Sequence, residues 1–207
     1  MSRYIPSIAV LFVPAVAAAQ PPDSAEHEPV AIQLSLWESV QIAPRERSVH
    51  GLRLSIYGRN HDLEGADIGL VMRLDGDLTG AQLGLAGIVD GDVKGLQNNW
   101  LLSMAGGRVQ GLQWSGVNMA HAYEGAQLGA LNYVEESSVG GRLGIVNVAL
   151  AEVRGADVGA VNYARRVEGV QLGFVNVAEH LHGVQVGLIN VALNGFLPVF
   201  VVFNAAL

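Results

Sequence analysis

The sequence predicts an all-β protein, a small-coil β-solenoid of about ten repeats of 14–16 residues. A phrase recurs ten times: a glycine, an apolar residue, a polar residue that is usually Gln, an apolar residue, and a second glycine or other small residue. A fixed period this short indicates an architecture in which each copy packs on the next. Apolar residues alternate with polar or small ones inside each copy, which is typical of strands. Two glycines per copy disfavour a helical coiled coil, because each costs about 1 kcal/mol in a helix. The first glycines are Gly51, Gly65, Gly80, Gly95, Gly111, Gly125, Gly140, Gly155, Gly169 and Gly183.

The composition agrees with a narrow β-structure and limits the functions that the chain can have. Half of the 207 residues are apolar and 26 are glycine, yet only 6% are aromatic. Large side chains that could fill a wide core are therefore scarce. The formal net charge of −7 disfavours binding to nucleic acids and to anionic lipids. The sequence contains no cysteine, so we expect neither disulfides nor a cysteine-linked lipid.

The N-terminal residues have the pattern of a secretory signal peptide over residues 1–19. Arg3 supplies the positive charge, residues 8–13 form the apolar run, and residues 17–19 are the small residues of a cleavage site. The apolar run is too short to cross a membrane as a helix. Residues 20–30 are polar with three prolines and are predicted to be a flexible linker. The sequence therefore predicts export, to the periplasm, the outer membrane or the cell surface.

Two further segments are predicted to close the ends of the repeat array. In residues 31–48, Ile32, Leu34 and Leu36 alternate with polar or aromatic residues, which indicates a cap strand before the array. The array itself occupies residues 49–193. Residues 194–207 contain an apolar run with Pro198 near its start and are predicted to be the C-terminal cap strand. Caps are expected because an open solenoid end invites association into fibres.

Two sets of positions are predicted to have structural roles in every repeat, numbered here from its first glycine as position 1, with positions 0 and −1 before it. Position 8 is Asn in six consecutive repeats, and stacked amides can donate to one neighbouring coil and accept from the other. The predicted ladder consists of Asn118, Asn132, Asn147, Asn162, Asn176 and Asn190. Positions 1 and 5 are predicted to be bends with positive φ or points of close approach between coils. The clearest of these glycines are Gly125, Gly129, Gly155, Gly159, Gly169, Gly173, Gly183 and Gly187.

An antiparallel β-barrel of outer-membrane type is the alternative fold. One set of alternate residues in each repeat would then be apolar and face lipid, while the other set would face a polar interior. Aromatic girdles are thin, however, and the connections are uniformly short. A phrase repeated in one direction also suits coils that stack in parallel better than antiparallel neighbours. The solenoid is therefore the favoured interpretation.

The repeat phrase Gly-x-Gln-x-Gly-x-x-Asn-x-Ala resembles the leptospiral-type surface-repeat family of exported bacterial proteins. Residues 49–54, residues 57–60 and the ending at 197–199 followed by Asn204 contribute to the resemblance. It covers roughly residues 31–207 and implies a surface or envelope location, with no activity attached. Met72 and Gly87 depart from the pattern, since later repeats have Asn at that position.

A search for reactive groups finds no catalytic constellation. His180 and His182 are two residues apart, with Glu179 and His121 as further metal-ligand candidates, and we interpret the pair as solvated loop histidines. The pairs Asp75/Asp77 and Asp90/Asp92 are interpreted as turn-forming residues rather than as a calcium site.

Trp100 and Trp114, with Tyr123, Tyr133 and Tyr163, are interpreted as irregular core filling rather than as an exposed aromatic strip for a glycan or a partner. A binding site, if the protein has one, is expected around residues 98–114 or on the charged loop edge.

These observations predict a non-enzymatic structural or binding scaffold of the bacterial envelope. We expect no catalytic residue, no metal and no cofactor. The partner is an envelope or extracellular molecule that the sequence does not identify, and association with a membrane stays open. The alternative function is an integral outer-membrane β-barrel with a pore or anchoring role.

Overall fold

One continuous ten-stranded sheet winds into a stack of coils that together form a β-solenoid. The computed structural model describes residues 28–195 and 197–206, so the predicted signal peptide and most of the predicted linker lie outside the described residues. None of the described residues belongs to a helix with the length and apolarity that crossing a membrane requires. The strands are β1 (Val30–Trp37), β2 (Val40–Gln41), β3 (Val49–Asn60), β4 (Leu63–Leu74), β5 (Leu78–Val89), β6 (Val93–Val134), β7 (Ser138–Val158), β8 (Val161–Leu172), β9 (Val175–Ala192) and β10 (Val199–Ala206).

Neighbouring coils pair in parallel, one full repeat apart. Val49 lies beside Leu63, Gly51 beside Gly65, and the same shift continues to the end of β3. The glycine phrase of each repeat therefore lies on the glycine phrase of the next, which is why the period is so regular. The solenoid prediction is confirmed, and the antiparallel barrel is wrong as a description of the array. The long strand β6 runs without interruption through three coils.

Each coil has two arms that face each other across a thin interior. In β3 and β4 the buried residues recur at the same four positions: −1 and 3 on the first arm, and 8 and 10 on the second. Alternate residues of a strand point to opposite sides, so positions 0, 2 and 4 of the first arm face outward. Corners at positions 5–6 and after position 10 join the arms.

The interior is divided into an aliphatic half and a polar half. Positions −1 and 10 form the aliphatic half, where residues such as Leu63, Leu74, Leu78 and Val89 are fully buried against one another. Burial of one such side chain stabilises the fold by about 1.5–3 kcal/mol. Positions 3 and 8 form the polar half, and its side chains are equally buried. A solenoid with this interior depends on hydrogen bonds between coils as well as on apolar packing.

The two glycines of a repeat are required for different reasons. Gly169, at position 1, has φ +143°, a conformation that residues with a side chain rarely adopt. Gly173, at position 5, has no such φ, but a Cβ there would overlap the carbonyl oxygen of Gly159 in the preceding coil. Position 1 therefore needs glycine for its backbone conformation and for space, whereas Gly173 at position 5 is needed only for space.

Both ends of the array are covered by further strands. At the N-terminal end, β1 adds a parallel strand in register with β3, pairing Leu34 with Leu54, and β2 folds back antiparallel on β1. At the C-terminal end, β10 runs antiparallel to the last coil in β9, where Phe203 pairs with Val186. The order of strands in the sheet is therefore the order along the chain, except that β2 lies outside β1.

Candidate functional site

The residues at position 3 stack into a buried polar ladder along the interior. Gln127 donates from Nε2 to Oε1 of Gln113 over 2.7 Å, and Gln113 donates in the same way to Gln97 over 2.8 Å. Gln82 donates to the Asp67 carboxylate over 2.9 Å. The repeat pattern alone did not predict that these side chains lie in the interior. The position-3 ladder consists of Arg53, Asp67, Gln82, Gln97, Gln113, Gln127, Arg142, Asp157, Gln171 and Gln185.

Two arginine–aspartate pairs replace glutamines within the position-3 ladder. Arg53 contacts Asp67 through Nε and Nη2 at 2.7 and 2.6 Å, and Arg142 contacts Asp157 through the same atoms at 2.8 Å each. Each arginine also donates from Nη1 to a position-9 carbonyl, that of Val148 for Arg142, over 2.7 Å. Buried charges are tolerated only when they are paired and hydrogen-bonded, as they are here. The pairs tie one coil to the next and leave no charge free for chemistry.

The residues at position 8 form a second ladder that faces the first. Asn162 accepts at Oδ1 from Asn147 over 2.7 Å and donates from Nδ2 to Asn176 over 2.8 Å. Its second amide hydrogen goes to the carbonyl of Leu172, at position 4 of the next coil, over 2.9 Å. The same pattern links the six asparagines from Asn118 to Asn190. These donors point towards the C-terminus, whereas the glutamine donors of the position-3 ladder point towards the N-terminus.

The outer corner of the solenoid is apolar along its whole length. We name positions 4–7 of the ten coils the apolar ridge, whose members are residues 54–57, 68–71, 83–86, 98–102, 114–117, 128–131, 143–146, 158–161, 172–175 and 186–189. At position 4, Leu54, Ile68, Leu143, Val158, Leu172 and Val186 are 36–53% exposed. At position 6, Ile56, Leu70, Leu85, Ile145, Phe174 and Leu188 are 39–65% exposed. The array thus turns its polar ladders inward and a row of aliphatic side chains outward.

The tryptophans lie on this outer corner, and the interpretation of Trp100 and Trp114 as core filling is wrong. Trp100 is 83% exposed and Trp114 is 56% exposed. The register between β5 and β6 shifts after Gly84. Trp100 and Leu101 therefore both lie at position 6, the crest of the ridge, where other coils have one residue. Such a bulge turns side chains outward. Trp37, at the end of β1, is 60% exposed, with its ring centroid 5.1 Å from that of Tyr57 at position 7.

Two shallow grooves indent the apolar ridge. The first lies at the N-terminal end, has a volume of about 680 Å³, and is lined chiefly by Leu34, Leu36, Ile42, Leu54 and Ile56. The second has a volume of about 530 Å³ and lies in the middle of the array. Its lining residues include Trp114, Leu128, Ala130, Leu143 and Ile145. The second groove exists because position 6 is glycine or alanine in two successive coils, between Trp114 and Ile145.

The opposite edge of the solenoid carries the charges. We name the residues from position 11 of one coil to position 0 of the next the charged edge. There Asp62, Asp77 and Asp92 stack one coil apart, and Asp62 accepts a hydrogen bond from the backbone nitrogen of Asp77 over 2.7 Å. Asp77 accepts in the same way from the backbone nitrogen of Asp92. Asp77 and Asp92, interpreted above as turn residues, therefore support the turns of adjacent coils.

His121 also lies on the charged edge, 3.0 Å from the carboxylate of Glu135 and 3.4 Å from that of Glu136. The hydrogen bond with Glu135, helped by the charge of Glu136, raises the pKa of His121. His180 and His182 are exposed and lie within β9, so their predicted placement in a loop is wrong. Within residues 28–195 and 197–206, no three His, Asp or Glu side chains come together in a way that could hold a metal ion.

Comparison with known proteins found no match to a family model, to a curated protein sequence or to a solved structure. The resemblance of the repeat phrase to leptospiral-type surface repeats therefore stays a prediction.

Proposed function

We propose that the protein is an exported, non-enzymatic scaffold of the bacterial cell envelope that uses its outer surface to bind or organise a partner. The apolar ridge is the observation that supports this proposal most directly. An uncharged surface that extends over ten coils is far larger than the isolated apolar residues found on ordinary protein surfaces, and large exposed apolar patches mark interaction sites.

The interior supports the same proposal. Most polar groups of the two ladders hydrogen-bond to neighbouring coils, with Gln127 Oε1, Gln171 Nε2 and Asn118 Oδ1 as exceptions, and the two buried arginines are held by aspartates. Groups committed in this way hold the coils in register and are shielded from a substrate. The N-terminal pattern of residues 1–19 supports export.

The test of the envelope location is fractionation of cells that express the full chain, with the N-terminus of the recovered protein determined by mass spectrometry. We expect recovery outside the cytoplasm with Gln20 as the first residue. A Leu11→Arg variant, which interrupts the apolar run, should stay in the cytoplasm with residues 1–19 attached. Cytoplasmic recovery of the unprocessed wild-type chain would contradict the proposal.

A further inference from the structure

We propose that the apolar ridge seats the solenoid on the surface of an uncharged or zwitterionic lipid bilayer, with the side chains of positions 4 and 6 entering the boundary between headgroups and acyl chains. The inference extends the proposed envelope role, because an envelope protein meets lipid surfaces. Its test is made with purified protein and does not depend on export.

The distribution of charge is the first argument for a lipid surface. Within the ten coils, every Asp, Glu, Lys and Arg lies in the position-3 ladder, at position 9 or on the charged edge. None lies on the apolar ridge, which extends about 43 Å if nine coil-to-coil steps of about 4.8 Å are counted. An element with one apolar side and one strongly charged side is suited to lying in the plane of a membrane interface.

The second argument is that backbone groups of the apolar ridge are hydrogen-bonded within the solenoid, as the eighth and ninth coils show. At the corner, the nitrogens of Phe174 and Val175 both donate to the carbonyl of Ala160 over 2.9 Å. The carbonyl of Leu172, at position 4, accepts from the side chain of Asn162. Hydrocarbon offers no hydrogen bonds, so a surface that enters it must satisfy its own polar groups.

The scarcity of polar groups on the ridge also favours lipid over a protein partner. A protein–protein interface typically carries about one hydrogen bond per 100–200 Å² of buried area. Among the outward-facing side chains of the ridge, the polar groups are those of Asn98 and Tyr57 and the indole N–H groups of Trp100 and Trp114. The side chains at position 6 also vary in size from Gly116 to Trp100. This variation has no regular pattern that a rigid second copy of the chain could complement. A fluid surface adapts to such a profile.

The tryptophans and the grooves add two independent observations. All three tryptophans of the sequence stand on the ridge side, exposed, and tryptophan favours the membrane–water interface because its ring is apolar while its N–H seeks a polar group. The groove between Trp114 and Ile145 is lined chiefly by apolar side chains and has a volume of about 530 Å³, which suits part of a lipid acyl chain. The net charge of −7 favours zwitterionic over anionic lipid.

The test is flotation of the protein with phosphatidylcholine vesicles, with tryptophan fluorescence as a second measurement. We expect the wild-type chain to float with the vesicles and its emission to shift to the blue, since every tryptophan reports on the ridge side. Binding to phosphatidylglycerol vesicles at low salt should be weaker. Leu143→Asp, a change on the ridge, should lower the apparent partition coefficient about tenfold or more.

Val139→Asp is the matched control. Val139 lies in the same coil as Leu143, at position 0 on the charged edge, and is 40% exposed, so both changes add a charge at an outward-facing residue. We expect Val139→Asp to bind vesicles as the wild type does, with both variants retaining the β circular dichroism spectrum. Equal losses of binding in the two variants would overturn the inference, as would failure of the wild type to bind or to show the blue shift. A dimer that Leu143→Asp dissociates, without vesicle binding, would assign the ridge to a second copy and would also overturn it.

Discussion

Arg142 and Asp157 form a bidentate ion pair across the boundary between the seventh and eighth coils, with two hydrogen bonds of 2.8 Å and almost no solvent exposure of either side chain. The two residues occupy the same position of successive repeats. Arg53 and Asp67 repeat the arrangement between the first and second coils. In both pairs the charges take the place of the glutamine amides that connect other coils, so ion pairs and amide pairs both link successive coils at position 3.

Removal of one member of this pair should destabilise the fold strongly. Asp157→Ala leaves the Arg142 guanidinium buried without its counter-ion, and we expect a loss of about 3–5 kcal/mol in the free energy of unfolding. The double variant Arg142→Gln/Asp157→Gln should recover most of that loss, because a Gln–Gln hydrogen bond like that of Gln127 with Gln113 can replace the pair. Urea unfolding of the three proteins measures both effects. If Asp157→Ala unfolds at the wild-type urea concentration, the ion pair of Arg142 and Asp157 does not stabilise the contact between the two coils.

The asparagine ladder predicts that a central rung matters more than a terminal one. Asn162→Ala removes an acceptor for Asn147 and donors to Asn176 and to the carbonyl of Leu172, so we expect a loss of about 1–3 kcal/mol in stability. Asn118 is the first rung, and its Oδ1 has no hydrogen-bond partner among the described residues. Asn118→Ala should therefore cost less. Thermal unfolding of the two variants compares them, and equal losses would show that the ladder does not act rung by rung.

The glycines of the repeat predict three different outcomes for substitution by alanine. Gly169→Ala should be the most damaging, because φ +143° strains any residue with a side chain by about 1–3 kcal/mol and the new Cβ would also overlap the carbonyl of Gly155. Gly173→Ala meets only the overlap with the preceding coil. Gly141 has no atom near the place of a Cβ, so Gly141→Ala should be neutral or stabilise by about 0.4–1 kcal/mol. Melting temperatures in any other order would contradict this account.

The carboxylates beside His121 predict a pH dependence on the charged edge. Because the hydrogen bond with Glu135 raises the pKa of His121 in the folded protein, its stabilising contribution is complete below the ordinary histidine pKa of about 6.5. The contribution is lost as the pH rises through the raised value. An NMR titration should place the midpoint of His121 above that of an unfolded-chain histidine. Glu135→Gln should lower the midpoint, and a midpoint that does not move would exclude Glu135 as the main cause.

The period, the parallel stacking and the alignment of Asn162 with Asn176 could be predicted because a short fixed repeat leaves few arrangements open. Which of the two alternating sets of side chains faces the interior could not be predicted. Aliphatic residues usually lie inside and charged residues outside, whereas Leu143 is exposed and Arg142 is buried. One signal was present: opposite charges stand one repeat apart at the same position, as Arg142 and Asp157 do. That spacing is meaningful only once the coils are known to stack in register.

The parallel pairing of each coil with the coil one repeat away has a consequence for how the chain folds. Parallel sheets ordinarily form slowly because their strands are distant in sequence, but here each strand finds its partner after 14–16 residues. The contact order is therefore low for a β-protein. Folding can begin in any pair of adjacent coils and spread in both directions, and whole coils can be gained or lost by duplication or deletion of one repeat length without disturbing the rest.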